Sequence, residues 1–540
     1  MRPLERRSLL GVAEEVAPWL AGVLLALPVV LVHYPPMGDL GAHEGLASVL
    51  CHWKDPRWNP PGLYRVFIPQ ANQLFALLVA ALGFVLPTEL AAKLVVGATG
   101  IASTVGLARL LRHLRLSRWL SLLVTPVLYG WMFSWGLAPN LTGLAVMILT
   151  LPSLEAYAEK PTGRRLLVAS TWLAVTFLGH ESAAVVCGLF AAVLAVGRAS
   201  GAKGMGARGL VARLWPVVVV VGLIVAQDLV SRALIGDVMN ELGSAYATPL
   251  PARVRMIPSA IFGSIKPRDT AGVALLCLVA LVASAARAPL VPYRRRGGWL
   301  LRRRYWLLAL GLLGLYFAFP MTLNGATMLA FRFVPGLCIG VIVACARRRT
   351  RPIAIAAACL VPVAVVASQA SFFAKANAFY GPQDRIIEHI EPGSSVAQLD
   401  WSPTRNHKTR GVFNDRVMAA RGGRVLFSFA DRPPNPLYIP AALQWNEPVR
   451  RLATTPFAFM PSFDFHRFTY VLARCDYPPL LEPIARAVSG EADLVASDGA
   501  WLLFRSRLDP WPIVSPDVPL PSPPPETLGE RLAAAHAPGT

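Results

Sequence analysis

Long apolar runs alternate with short basic ones along this sequence, and that alternation restricts the chain to a protein that crosses a membrane many times. Apolar segments lie over 17–32, 90–108, 119–135, 137–154, 166–179, 182–196, 214–230, 273–286, 305–320, 327–346 and 353–373. A helical span needs about 20 such residues, so they predict about eleven spans. Basic runs at 109–115, 160–165, 198–213, 287–304 and 347–351 occupy every second connection. This is the positive-inside pattern, which puts the N-terminus in the cytoplasm and everything after Phe373 outside.

Composition agrees: 54% of residues are hydrophobic and only 15% charged, with a mean hydropathy of +0.49. A net charge of +21 would suggest nucleic acid in a soluble protein. Here the basic residues are confined to short inter-span runs, so no nucleic-acid partner is expected. The basic Met1–Arg7 stretch leads into the first apolar run with no small-residue cleavage site before His33, which reads as an uncleaved signal anchor. The apolar stretch 72–86 reads as a re-entrant or surface-lying helix, because a full span there would turn the 109–118 basic loop outward.

Polar character returns after Phe373. The expected organisation is a transmembrane domain over 1–373, a periplasmic α/β domain over 374–508 and a proline-rich tail over 509–540. Strands are expected at 394–399, 424–429 and 468–473, an amphipathic helix at 478–488, a terminal hairpin at 492–505 turning at Ser497-Asp498-Gly499, and a short polar helix at 526–535. No two of the seven cysteines sit at a zinc-type spacing. Cys51 and Cys475 both fall on the outward side, where a disulfide between them is open.

On this topology the residues able to do chemistry gather on the outward face, and the span interiors carry almost none. Asp39-Leu-Gly-Ala-His43-Glu44 follows the first span. In a helix Asp39 and His43 share a face. A carboxylate held there under apolar cover can act as a general base, its pKa raised by desolvation. His43 or Glu44 could orient it, or Asp39 and His43 could hold a divalent metal such as Mg or Mn beside a phosphate leaving group. The plain alternative makes Asp39 a helix N-cap with His43 and Glu44 merely solvated.

Further along, His180-Glu181 and Asn324 fall in outward turns, and Arg332 lies about one turn inside its span, where an arginine is costly unless it meets an anion or water. A lipid phosphate is the natural anion, with snorkelling to the headgroups as the alternative. The 231–270 stretch reads as an outward loop whose Arg253, Arg255, Lys266 and Arg268 suit phosphate or anionic headgroups.

In architecture 17–373 resembles the GT-C superfamily of integral membrane glycosyltransferases, which includes protein O-mannosyltransferases and the aminoarabinose transferases of lipid A. Asp39 with His43 in the first outward loop, the Leu178-Gly179-His180 turn, and Arg332-Phe333 followed by Pro335 carry the resemblance. The segment around Asp464 to Leu472 and that around Gly499 to Arg505 look like the periplasmic domains of bacterial members.

The resemblance implies an inverting enzyme of the bacterial inner membrane. It would move a sugar from a polyprenyl-phosphate donor to an envelope glycan, lipid or protein on the periplasmic face. Asp39 would then be the base, supported by His43 and Glu44, while His180, Glu181, Asn324 and Arg332 would contact substrate. A non-catalytic scaffold of the same fold for envelope polysaccharide assembly is the alternative. A transporter is less well supported, since ionisable residues at depth and broken helices in related halves are not evident.

Overall fold

The computed structural model describes residues 9–201, 207–235, 248–263, 265–286, 299–323, 326–402, 416–431, 435–512 and 524–536. The expectations for Asn324 and for most of the proline-rich stretch fall outside the described residues. The chain divides into two compact units. One comprises Met1–Val32, Gln70–Phe75 and Lys93–Phe373; the other comprises His33–Pro69, Ala76–Ala92 and Ala374–Thr540.

The first unit is helical. Seven described helices are long and apolar enough to cross a membrane: Leu9–Leu31, Thr88–His113, Ala138–Glu159, Glu181–Ala199, Ala207–Ala233, Pro267–Ala285 and Pro352–Ile387. All seven fall on expected apolar runs. The other four runs are shorter or broken. Gly163–Gly179, Arg304–Ala318 and Val334–Cys345 are single helices of 17, 15 and 12 residues.

Residues 119–135 do not form the expected continuous span. They fold as a 3₁₀ turn at Trp119–Val124 and two short helices, Thr125–Leu128 and Trp131–Trp135. Pro126 starts the second piece, where its missing N–H costs nothing. Gly130 is extended, and a Cβ there would collide with the backbone carbonyl of Ile261. Hydropathy registers the apolar content of this stretch and is blind to the two breaks. At 72–86 the structure places a ten-residue helix, Leu74–Gly83, too short to span.

The described parts of the 231–270 stretch are largely helical where a loop was expected. The helix Ala207–Ile235 runs into it, and Leu250–Phe262 is a helix of its own. Arg253 there is buried, and its Nη1 donates to the carbonyls of Tyr316, Phe317 and Phe319 at 3.0, 2.7 and 2.7 Å. These are the carbonyls that end Arg304–Ala318, so the cation satisfies a helix C-terminus and is not offered to a phosphate.

In the second unit a five-stranded sheet runs in the order Arg424–Val425, Ser395–Asp400, Tyr470–Arg474, Trp501–Ser506, Ala492–Asp498. The first three strands are parallel and the last two antiparallel to their neighbours. The expected 424–429 strand is only two residues long. Side chains alternate between two cores. Ala397, Leu399, Val471 and Phe504 pack with Ile484 and Val488 of the amphipathic helix Pro478–Val488, while Val396, Leu472 and Leu503 pack with Leu46, Val49, Val417 and Met418 on the other face. The hairpin turns at Gly499 with φ +59°, and Leu528–His536 is helical. Cys51 and Cys475 are both free, each thiol pointing at a nearby carbonyl, of Ala80 and of Tyr477.

The segment 33–69 is knitted into this unit. Arg65–Val66 pairs antiparallel with Leu437–Tyr438, the Tyr64 hydroxyl donates to the Gly423 carbonyl at 3.0 Å, and the Gly423 N–H donates to the Arg57 carbonyl at 2.6 Å. Gly422 and Gly423 sit at φ +70° and +79°, and a Cβ on either would overlap a backbone oxygen, of Arg57 or of Ser394. Gly422→Ala, whose Cβ would meet the Arg57 carbonyl oxygen, therefore combines left-handed strain with a backbone clash and should cost about 3 kcal/mol. Thermal unfolding of the purified variant checks this; a midpoint equal to wild type would contradict the seam between the segment and the domain.

Candidate active site

Asp39 stands at the head of the helix Leu40–Cys51. The approach to it is fixed by composition: Tyr34, Pro35, Pro36 and Met37 are buried, and two prolines leave that backbone little freedom. Asp39 occupies the N-cap position with φ −95° and ψ 9°, yet its side chain makes no capping hydrogen bond. The capping role expected as the plain alternative is thus not filled. Burial pushes the Asp39 carboxyl up to about 7, a value at which a general base is most effective near neutral pH.

One turn on, the His43 N–H donates to the Asp39 carbonyl at 3.3 Å. His43 is buried with its ring 4.9 Å from that of Phe429, and burial lowers its imidazole to about 3. It is neutral at physiological pH, so it can orient a neighbour by hydrogen bonding but cannot serve as an acid. Glu44 is 2% exposed, and its charge acts on Tyr34 and on Arg416.

Arg416 is the residue that sequence reading missed. Its guanidinium lies 4.0 Å from the centre of the Tyr34 ring, a cation–π contact. Its Nε donates to Asp384 Oδ1 at 2.9 Å, with a second short contact from Nη2 to the same carboxylate. The Asp384 carboxylate also bonds to His33, and Asn377 Oδ1 accepts from the His33 and Tyr34 N–H groups at 3.0 and 3.3 Å. Burial opposes the Arg416 charge, but Tyr34, Asp384, Glu44 and Glu89 more than offset it and hold the guanidinium above its usual range. Burial first and Glu44 second push the Tyr34 phenol well up. The network clamps the backbone that delivers Asp39, and no sequence signal ties Arg416 to Tyr34.

A divalent metal was expected on Asp39 and His43. Among the described residues no three His, Cys, Asp or Glu side chains gather as a metal site. Asp39 and His43 supply two donors, short of the three that a site built by protein alone would gather.

In the first unit, His180, Glu181 and Arg332 come together from segments about 150 residues apart. His180 links Gly163–Gly179 to the helix starting at Glu181. It is seated by two glycines: a Cβ on Gly143 would lie 2.5 Å from the His180 Cβ, and one on Gly179 would lie 3.0 Å from the Gly143 Cα. His180 Nδ1 accepts from the Ser182 N–H at 3.1 Å, which leaves the ring proton on Nε2. Arg332, in the 3₁₀ turn Ala330–Phe333, brings Nη1 to 3.4 Å from that Nε2 and to 3.5 Å from Glu181 Oε1. Its Nε is buried with no hydrogen-bond partner among the described residues. A cation this buried, only loosely paired and set beside a second N–H donor, is suited to an anionic oxygen.

No family model and no curated protein sequence matches this chain. Among solved structures it is similar to the crystal structure of ArnT from Cupriavidus metallidurans in the apo state, at a TM-score of 0.53 and 13% sequence identity, over 91% of this chain and 97% of that one. At that identity the likeness speaks for the fold alone: the chain is a mostly helical protein of ArnT-like fold, with several helices fit to span a membrane and a sheet-containing C-terminal region.

Proposed function

We propose that this protein is a membrane glycosyltransferase of the GT-C type that moves a sugar from a polyprenyl-phosphate carrier to an envelope glycan, lipid or protein on the periplasmic face of a bacterial inner membrane. The observation that carries the reading is Asp39, an uncapping carboxylate whose burial brings its pKa to about 7, in a chain with the fold of ArnT. In the proposed reaction Asp39 takes the proton from an acceptor hydroxyl or amine as its heteroatom attacks the anomeric carbon. The bond from that carbon to the phosphate oxygen breaks, and the polyprenyl phosphate leaves with the electron pair. Attack opposite the leaving group inverts the anomeric centre. His43, being neutral, orients, and the Tyr34–Arg416 clamp holds the approach to Asp39.

Arg332, with His180 beside it, is proposed to hold the donor's phosphate. Arg332→Gln keeps polar bulk and removes the charge, so the donor concentration at half-maximal rate should rise about tenfold or more, the scale of a lost charge-assisted hydrogen bond. Steady-state transfer from a radiolabelled polyprenyl-phosphate sugar by protein in lipid measures it. An unchanged donor dependence would leave Arg332 a headgroup snorkeller. Robust donor binding with no transfer to a broad acceptor panel would instead favour the scaffold reading.

A further inference from the structure

Two of the apolar helices leave a polar hollow at one end of the first unit. A groove of about 330 Å³ opens between the 15–19 stretch of Leu9–Leu31 and the last turns of Thr88–His113, lined by Glu15, Trp19, Arg109, Arg112 and Arg118 among others. The acids nearby are already engaged. Glu14 accepts from the Ser117 hydroxyl at 2.7 Å and from the Arg118 N–H at 2.6 Å, and Glu15 lies 3.5 Å from Arg118. Arg109 and Arg112 are exposed and meet no acid among the described residues. Three residues apart on a helix, they project side by side.

We propose that this groove is a binding site for the headgroup of an anionic phospholipid, phosphatidylglycerol by chemistry, in the leaflet that the basic loops face. Three features argue for a built site over the diffuse positive charge common to such loops. The groove lies where the apolar run 17–32 begins and the run 90–108 ends, the level at which phosphates stand. Its lining carries three arginines to one acid, and that acid is committed to one of them, leaving a two-arginine clamp suited to a single phosphate. Trp19 supplies the amphipathic ring that settles at headgroup depth. The site is independent of the proposed transfer reaction.

The test is lipid retention by the full-length detergent-solubilised protein, read by native mass spectrometry after titration with phosphatidylglycerol or phosphatidylethanolamine. Wild type should hold phosphatidylglycerol in preference, and Arg109→Gln/Arg112→Gln should weaken that retention by about fivefold per arginine removed. Both positions are exposed, so the fold should survive. Lys160→Gln/Arg164→Gln removes the same charge from another basic run, both positions exposed, and should leave retention unchanged. Equal retention of the two lipids by wild type, or equal losses in the two double variants, would overturn the proposal.

Discussion

Asp39→Asn should lower sugar transfer by about 10²–10⁴-fold, the usual contribution of a positioned general base, while leaving the protein folded. The second half of that expectation separates a base from a helix cap. Asparagine caps as well as aspartate, and the Asp39 side chain makes no capping bond to lose. The stability change should run in the opposite direction from a lost cap. Burial raises this carboxyl to about 7 from an ordinary value of 3.8. Between those two pH values the folded state holds the proton more tightly than the unfolded state, so the wild type loses stability as pH rises through the window. The variant has no charge to bury, so above pH 7 it should be at least as stable as wild type. Unfolding midpoints at pH 5 and pH 8, set beside the transfer rates, test both halves. A variant destabilised equally at both pH values would return Asp39 to a structural role.

Arg416→Met carries a large expected effect on stability. It keeps a long side chain against Tyr34 but leaves Asp384 and the buried Glu44 without the cation that faces them. Removing one partner of a buried ionic network costs about 3–5 kcal/mol. The Asp384 side chain is 23% exposed, which places the expected loss toward the lower figure. Because Tyr34 leads directly to Asp39, transfer should fall along with stability. A double-mutant cycle with Asp384→Asn isolates the pair, since contacting charges do not contribute additively. A loss under about 1 kcal/mol would mean that the network is screened and holds nothing in place.

What the sequence made legible divides along physical lines. The bilayer demands about 20 apolar residues per crossing, so seven of the expected runs reappear as span-length helices. The same measure merged 119–135 into one span because composition does not register a break at Pro126 or Gly130. It also read Arg253 as exposed positive charge, since only the folded chain shows three helix-terminal carbonyls converging on that guanidinium. Asp39 stood out because an acid flanked by prolines directly after a span is a costly thing to place there. His180, Glu181 and Arg332 were each singled out separately for being polar at a membrane boundary, but their meeting depends on the Gly143–Gly179 approach, which no local pattern encodes. Arg416 was invisible for the same reason: its partners Tyr34 and Asp384 are distant in sequence, and the clamp exists only once 33–69 has joined the C-terminal sheet.

The most direct test of the account is the pH dependence of transfer from radiolabelled polyprenyl-phosphate sugars by wild type and Asp39→Asn protein in lipid. The wild-type rate should climb through about pH 7 as Asp39 loses its proton, over a low and pH-independent rate in the variant. A variant that transfers at the wild-type rate, or a wild type whose rate is flat through that range, would contradict it.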